Sequence, residues 1–432
     1  MNVKALLPSA VLIISFLVIS RQPPSAQEPK SPISQVPAPK IEVAVNSVLL
    51  PVVVRDSGGR AVGDLKQEDF QILEGKKFQA IAGFSIQKRQ SATNVSSLPA
   101  LAPPTSTVAA PPATTARRFV VFLFDDLHFG AGDLLRIQQI ATKALAESLG
   151  SSDMAAIVSF SGTNSGLTRD HAKLQQAIAS LRMQDVYRHV ARECPDIDYY
   201  QGDLIENKHD NGAYNAAVEE ALACGRINLR SAAEAMVSSA ARRAVNIGDQ
   251  DCRVTLGLIG DVVRKMAPLP GERTLILISP GFLTITAEGM HEKSHVLDLA
   301  AHANVIISSL DARGLYSTAI DASEIGTNTA SDLMTGRQSN YHGSIASLSG
   351  AVLAELADGT GGTFFHNSND LAGGVKALTA APEFVYLLEL SLANIKMDGA
   401  YHSLKVRVKR DGLKVSARPG YFAPQSLREK KK

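Results

Sequence analysis

The pattern of apolar and polar residues divides the chain into regions of different structure. In residues 40–90, short runs such as IEVAVNSVLLPVVVRD alternate apolar with polar residues and end in turns. A period of two with many β-branched residues predicts strands that are buried on one face. The pattern returns after Pro382. We therefore predict a small β-domain at 40–90 and a β extension at 382–424, in which residues 405–410 and 413–417 pair as a hairpin around Asp411-Gly412.

Between these regions, continuous apolar runs alternate with helical segments. Four runs have almost no polar residues: FVVFLFD (119–125), MAAIVSF (154–160), TLILI (274–278) and VIISSL (305–310). Such runs are typical of strands that are covered on both faces. Apolar residues at helical spacing lie between them, and the longest such segment, 231–266, is interrupted at Asn246-Ile247-Gly248. This order predicts an α/β domain at 118–381 with a doubly wound, mostly parallel sheet.

The remaining segments lack the composition of a folded core. In residues 1–26, Lys4 precedes an apolar run that is short for a membrane span and typical of an export signal. The alternative is an uncleaved N-terminal anchor. A Pro-rich segment at 27–39, a Pro/Ala/Ser/Thr linker at 91–117 and a basic tail at 425–432 complete the chain. The export signal predicts a periplasmic or secreted protein.

The cysteines are too few for a disulfide scaffold. Cys194 and Cys224 bracket part of a long insertion at 184–230. Because an exported protein meets oxidising conditions, we expect these two cysteines to form a disulfide, and the alternative is a pair of buried free thiols. Cys252 shares a helical face with Leu256 and Ile259, which predicts a core position.

Six motifs in order carry a resemblance to a known family. They are LLPVVVRDSGGRAVGDLKQEDFQILEGKKFQAIAGF, FLFDD, TLILISPGF, SLDARGL, LADGTGGTFFHNSNDLAGGV and LKVRVKRDGLKVSARPGYFAP. Together they resemble the acidobacterial VWFA-related family of exported proteins, over about residues 40–424. The resemblance implies a fold like that of a von Willebrand factor type A domain. That family is named for a fold, so the resemblance leaves the activity open.

The resemblance also implies where a metal site would lie. A standard type A domain binds Mg²⁺ through Asp-x-Ser-x-Ser after the first strand, with a Thr and an Asp from two further loops. Here Asp125 matches the first Asp. The other positions hold Leu127 and Phe129 for the two Ser, Pro280 for the second Asp, and Asn228 and Ser231 where a Thr is expected. We therefore expect a degenerate metal-ion-dependent adhesion site, with neither a metal nor another cofactor.

Asp125, Asp126 and His128 nevertheless form a candidate site. They cluster at the carboxyl end of the first α/β strand, where open α/β sheets place their ligands. One interpretation is a variant metal or polar binding site. The alternative is that Asp125 caps the following turn and His128 lies on the surface, because this spacing is not typical of a metal site.

The insertion at 184–230 is a second candidate. It is long for a connection within a compact domain, and it mixes acids with Tyr199 and Tyr200. This mixture suits a polar-rimmed surface that faces a partner, close to Asp125. The alternative is a helical flap that only covers the edge of the sheet.

Charge and motifs narrow the classes of function. Lys and Arg number 44 against 42 Asp and Glu, a net charge of +2, so nothing indicates nucleic-acid binding. No Gly-x-Ser-x-Gly nucleophile elbow is present in the sequence. We expect an exported, non-enzymatic binding protein whose partner is a protein or the cell envelope, with membrane contact only through an uncleaved N-terminal segment. The alternative is a metal-assisted hydrolase that uses Asp125, Asp126 and His128.

Overall fold

The computed structural model of the protein describes residues 47–57, 60–88, 118–150, 153–182, 194–315, 337–380, 383–391 and 401–423. The strands are β1 (Ser47–Arg55), β2 (Phe70–Glu74), β3 (Lys77–Gln79), β4 (Ile81–Lys88), β5 (Arg118–Phe124), β6 (Asp153–Ser159), β7 (Glu272–Ser279), β8 (Val305–Asp311), β9 (Phe364–Phe365), β10 (Phe384–Ser391), β11 (Tyr401–Val408), β12 (Lys414–Ala417) and β13 (Gly420–Phe422). The helices are α1 (Ala131–Ser148), α2 (His171–Ser180), α3 (Tyr199–Glu206), α4 (Asn211–Cys224), α5 (Arg230–Met266), α6 (Ala287–Ala303), α7 (Arg337–Thr360) and α8 (Leu371–Thr379).

Two antiparallel sheets pack on one apolar core, and each contains strands from both ends of the described chain. Their strand orders are β12-β1-β10-β4 and β13-β11-β2-β3. The register of β1 with β10 places Val52 opposite Tyr386, and β2 pairs with β11. The segments that the sequence assigns to a β-domain at 40–90 and to an extension at 382–424 therefore share both sheets. The α/β domain is inserted between the two halves of this β-sandwich.

The hairpin predicted around Asp411-Gly412 is wrong in its pairing. The chain turns there, with Gly412 at a φ of 76°, but β11 pairs with β2 and β13, whereas β12 pairs with β1. The two strands therefore enter different sheets. Leu404 on β11 and Val415 on β12 both contact the core between those sheets. Each strand is thus stabilised by a partner from the N-terminal segment and by burial from opposite sides of the core.

The α/β domain contains the parallel sheet that the sequence predicts. Its order is β6-β5-β7-β8-β9, and all of its pairings are parallel. Every residue of β5 is buried because helices cover both faces. Phe122 lies in the core with α1, α2 and α8, and Leu123 lies in the core with α5, α6 and α7. This arrangement agrees with a doubly wound domain.

The strand order positions the candidate site. From β5 the chain passes to β6 at one side, and from β7 it passes to β8 at the other. The connections therefore diverge between β5 and β7, and open α/β sheets bind ligands at the carboxyl edge of such a switch point. Asp125 directly follows β5, and Ser279 is the last residue of β7.

Helix α5 continues through the interruption that the sequence predicts at Asn246-Ile247-Gly248. It has 37 residues, and Gly248 is buried within it. A Cβ at this position would lie 2.1 Å from the ring of Tyr199. The glycine is required for the close approach of Tyr199 to the helix, so it does not end the helix here.

The insertion forms a helical layer with its own core. Helices α3 and α4 pack on the first half of α5 through Ile205, Ala217, Val237 and other small and aliphatic residues. The predicted disulfide between Cys194 and Cys224 is present, with an S–S distance of 1.99 Å. Cys252 is a buried free thiol in the core that contains Leu256, as the sequence predicts.

Four predicted segments lie outside the described residues. They are the export signal at 1–26, the Pro-rich segment at 27–39, the linker at 91–117 and the basic tail at 425–432. Within the ranges that the structure describes, no helix has the length and apolar character needed to span a membrane.

Candidate functional site

The carboxylate of Asp125 is fixed at the switch point by the strands beside it. Its backbone N–H donates to the carbonyl oxygen of Ile278 at 3.0 Å, so the pairing of β5 with β7 continues to this residue. Asp125 is fully buried. A buried carboxylate is costly unless it is hydrogen-bonded and its charge is compensated.

His128 provides much of that compensation and joins Asp125 to a second carboxylate. Its Nδ1 lies 2.7 Å from Asp125 Oδ1, and its Nε2 lies 2.9 Å from Asp251 Oδ2. The backbone N–H of His128 also donates to Asp125 Oδ1 at 3.2 Å. The side chains of His128 and Asp251 are 15% and 20% exposed. The imidazole therefore bridges the loop after β5 to the middle of α5.

The bridge favours the charged form of the imidazole. Burial alone lowers the pKa of His128, but the charges and hydrogen bonds of Asp125 and Asp251 outweigh it and raise the pKa to about 10. At neutral pH both ring nitrogens of His128 therefore carry protons and donate to carboxylates. The ring also stacks on Phe282, with centroids 5.9 Å apart. Phe282 thus helps to fix the orientation of the ring.

The second carboxylate oxygen of Asp125 accepts a hydrogen bond from Ser279. Its hydroxyl donates to Asp125 Oδ2 at 2.5 Å and accepts the backbone N–H of Gly281 at 2.8 Å. Gly281 has a φ of 87°, and a Cβ there would lie 2.2 Å from the carbonyl oxygen of Ser349. The glycine therefore permits the tight turn that directs the Ser279 hydroxyl at Asp125.

Asp126 is engaged on the side of β6. It is fully buried. Its Oδ1 accepts the backbone N–H of Ser161 at 2.9 Å, and its Oδ2 accepts the Ser161 hydroxyl. Asp126 therefore holds the loop after β6, while Asp125 and His128 hold α5 and the loop after β7. The predicted trio of Asp125, Asp126 and His128 is divided between two hydrogen-bond networks.

The donor set at Asp125 does not fit the Mg²⁺ ion of a standard type A domain. Mg²⁺ requires about six oxygen ligands in octahedral geometry. Phe129 is buried in the core, and Leu127 packs against the core on the other face of the sheet. Both oxygens of Asp125 already accept hydrogen bonds, and the imidazolium of His128 places positive charge beside them. Among the described residues, no group of three or more His, Cys, Asp or Glu side chains is arranged to hold a metal ion.

Asp125, His128, Ser279 and Asp251 form one hydrogen-bonded cluster. The sequence analysis does not assign Ser279 or Asp251 to this site. Ser279 could have been suspected, because it ends the strand beside β5. Asp251 is 123 residues from His128 in the chain and lies inside a helix, so no local pattern indicates it. Asn228 and Ser231, which the resemblance aligns with a metal-binding Thr, are exposed around the start of α5. The side chain of α5 that reaches the cluster is that of Asp251, near the middle of the helix.

Tyr199 and Tyr200, both predicted to face a partner, have different surroundings. The hydroxyl of Tyr199 donates to Asp249 Oδ1 at 2.6 Å and lies 3.3 Å from Thr286 Oγ1. Its ring packs against α5, so Tyr199 joins α3 to α5 and to the start of α6. The half-buried ring of Tyr200 contacts that of Tyr341 edge-on, with centroids 5.8 Å apart.

Several acids of the insertion have structural partners. Asp198 caps α3 by accepting the N–H of Gln201, and Asp210 caps α4 by accepting the N–H of Ala213, each at 2.7 Å. Such caps stabilise a helix by about 0.5–2 kcal/mol. The buried carboxylate of Asp203 pairs with Lys208 at 3.2 Å. These acids stabilise the helical layer, so the acidic composition of the insertion does not by itself define a contact surface.

Comparison with known proteins gives little further guidance. No protein-family profile matches the sequence, and no curated protein matches it. Among solved structures, the chain is similar to the N-terminal domain of TFIIH p34, with 12% sequence identity and a TM-score of 0.24. The similarity covers 62% of this chain and 97% of that chain. With so low a TM-score, this similarity supports no conclusion about function.

Proposed function

We propose that the protein is an exported, non-enzymatic binding protein of the VWFA-related kind, whose α/β domain contacts a protein or envelope partner without a metal ion. The observation that carries this proposal is the closed cluster of Asp125, His128, Asp251 and Ser279. A type A domain with a metal leaves one coordination position for the partner's carboxylate. In this cluster an imidazolium neutralises Asp125 from within, so a partner must be bound by other side chains.

The same cluster is unfavourable for hydrolysis. A general base must have a lone pair directed at a substrate or a water molecule. Both ring nitrogens of His128 donate to carboxylates, and both oxygens of Asp125 accept hydrogen bonds. Asp126 is occupied by Ser161. A metal-assisted hydrolase would first have to open these contacts.

The surface that suits a partner lies where α3, α5 and α6 meet at the hydroxyl of Tyr199. Two large apolar side chains close in sequence to its hydrogen-bond partners are exposed, Ile247 at 54% and Met290 at 51%. Ile247 precedes Asp249 by two residues, and Met290 follows Thr286 by four. We assign Tyr200, Ile247 and Met290 to one proposed contact surface around this junction and call it the strand-end face. Aromatic residues and methionine are enriched at protein interfaces, which supports this assignment.

Export is supported by the disulfide between Cys194 and Cys224, because such bonds persist in oxidising compartments. It agrees with the signal-like residues 1–26. Fractionation of cells that produce the full chain tests this part: we expect the protein in the periplasm or the medium. Recovery from the cytoplasm with free thiols at Cys194 and Cys224 contradicts it.

Metal content separates the binding protein from the hydrolase. We expect the purified full chain to contain much less than one Zn²⁺ or Mn²⁺ per chain after dialysis against either ion, and to hydrolyse neither ester nor phosphoester model substrates. The variant Ser161→Ala, which frees one side of Asp126, serves as a comparison for a loosened site. One tightly bound metal per wild-type chain, together with hydrolysis that His128→Gln abolishes, contradicts the proposal.

A further inference from the structure

A cavity of about 160 Å³ lies between the β-sandwich and the amino ends of the parallel strands. The wall from the sandwich includes Val53 and Val385, and the wall from the α/β domain includes Ile306 and Leu378. The cavity is therefore at the opposite end of the parallel sheet from Asp125. Ligand sites occur preferentially at domain interfaces, with apolar walls and a few polar groups.

The charged residues that line this cavity are mostly positive. They are Arg55, Arg118, Arg273, Arg418 and a single acid, Glu272. Arg118 has internal partners, Asp153 at 3.4 Å and the carbonyl oxygen of Thr379 at 2.7 Å. The lining of the cavity therefore contains more basic than acidic side chains, which favours an anionic ligand.

Two of these arginines, Arg273 and Arg418, donate hydrogen bonds to uncharged groups of the described residues. Arg273 donates to the carbonyl oxygen of Ala267 at 2.6 Å, and Arg418 donates to the carbonyl oxygen of Leu49 at 2.9 Å and to Asn304 Oδ1 at 3.4 Å. The Nε atoms of both arginines are buried without a hydrogen-bond partner in the described part of the chain. Burial lowers the pKa of both groups. An anion that enters the cavity would stabilise these partly buried cations.

The size of the cavity limits what can enter. An engineered apolar cavity of about 150 Å³ holds a benzene molecule. A cavity of similar volume with arginines and aliphatic walls suits a molecule of that size with one anionic group. A guanidinium group can bind a carboxylate or a phosphate through two parallel hydrogen bonds, and the aliphatic walls favour a carboxylate that carries an apolar body.

We propose that this interdomain cavity is a binding site for a small carboxylate with an apolar body of about one ring, held by Arg273 and Arg418. The carboxylate lies against the two guanidinium groups, and the apolar body lies against Val53, Ile306 and Val385. Because the walls come from both domains, the bound anion joins the sandwich to the inserted α/β domain. This site is independent of the strand-end face.

Benzoate is the probe for this site, and benzamide is its neutral counterpart of the same shape. In calorimetric titrations of the full chain we expect one benzoate per chain and at least about tenfold weaker binding of benzamide. Arg418→Gln should weaken benzoate binding about tenfold or more, because the charged hydrogen bond is lost. Inorganic phosphate at equal ionic strength tests whether anionic charge alone is sufficient.

Two further variants keep the test decisive. Val53→Phe fills the cavity and keeps all four arginines, so it should abolish benzoate binding in protein that still unfolds cooperatively. Arg253→Gln removes an exposed arginine of α5 and should leave benzoate binding unchanged. The proposal is overturned if benzoate does not bind at millimolar concentration, or if benzamide or phosphate binds as well as benzoate. Equal affinity of wild type and folded Val53→Phe also overturns it.

Discussion

Replacing His128 by alanine removes the cation that compensates Asp125. The variant leaves a fully buried carboxylate with the Ser279 hydroxyl and a backbone N–H as its donors. Loss of one partner from a buried ion pair costs about 3–5 kcal/mol, whereas an exposed pair contributes about 0–1 kcal/mol. Since the His128 side chain is only 15% exposed, we expect the larger cost at neutral pH.

The dependence on pH has a definite sign. The pKa of His128 is raised from 6.5 to about 10 in the folded protein. Protonated His128 therefore contributes stability that is complete below about pH 6.5 and is lost as the pH rises through about 10. The difference in unfolding free energy between wild type and His128→Ala should be largest near pH 6 and should shrink steadily towards pH 10.

Urea denaturation followed by far-UV circular dichroism measures this difference at each pH. His295→Ala, at an exposed position on α6, is the control and should change stability by no more than about 0.5 kcal/mol. His128→Gln retains one possible hydrogen bond without the charge, so it should be intermediate near pH 6. A cost below about 1 kcal/mol, or a cost that does not change between pH 6 and pH 10, refutes the ion-pair account.

Three further predictions concern the rest of the α/β domain. Gly248→Ala places a Cβ 2.1 Å from the Tyr199 ring and should destabilise the protein by about 1–3 kcal/mol. Gly257→Ala on the same helix meets no atom within 4 Å and should stabilise the protein by about 0.5–1 kcal/mol. Equal effects of the two variants in thermal melts contradict this packing. Reducing the bond between Cys194 and Cys224 should cost roughly 3–4 kcal/mol, and an unchanged urea midpoint after reduction contradicts the expected constraint. Millimolar Mg²⁺ should leave the melting temperature of the wild type unchanged, and a reproducible rise of several degrees contradicts the misfit of the donor set.

The parallel sheet is predictable because its information is local. Each of its long strands is a continuous apolar run, and each is flanked by segments of helical periodicity. The sandwich is different, because Val52 is opposite Tyr386, more than three hundred residues further along the chain. Alternation predicts that both segments are strands, but it does not specify their partners. The turn at Gly412 is also encoded locally. The strands that pair with β11 and β12, however, are distant in the sequence.

The candidate site is also predictable only where its residues are close together in the sequence. Asp125 and His128 follow a buried strand, and the geometry of open α/β sheets brings that position to a crevice. The bridge to Asp251 depends on where a long helix crosses the sheet, which no pattern near His128 encodes. Because Tyr199 and Tyr200 are adjacent in sequence, the composition of the insertion predicts the same surface for both. On a helix, adjacent residues point in different directions, and here Tyr199 is directed at Asp249.

Capture of an envelope partner by the full chain in the presence of EDTA tests the central claim most directly. After chemical cross-linking, the protein should capture the same partner with equal yield in EDTA and in Mg²⁺. The double variant Ile247→Asn and Met290→Gln should lose that partner at an unchanged melting temperature, whereas Phe78→Asn, at an exposed position of the sandwich, should retain it. Loss of the partner in EDTA, or full capture by the folded double variant, contradicts a metal-independent contact through the strand-end face.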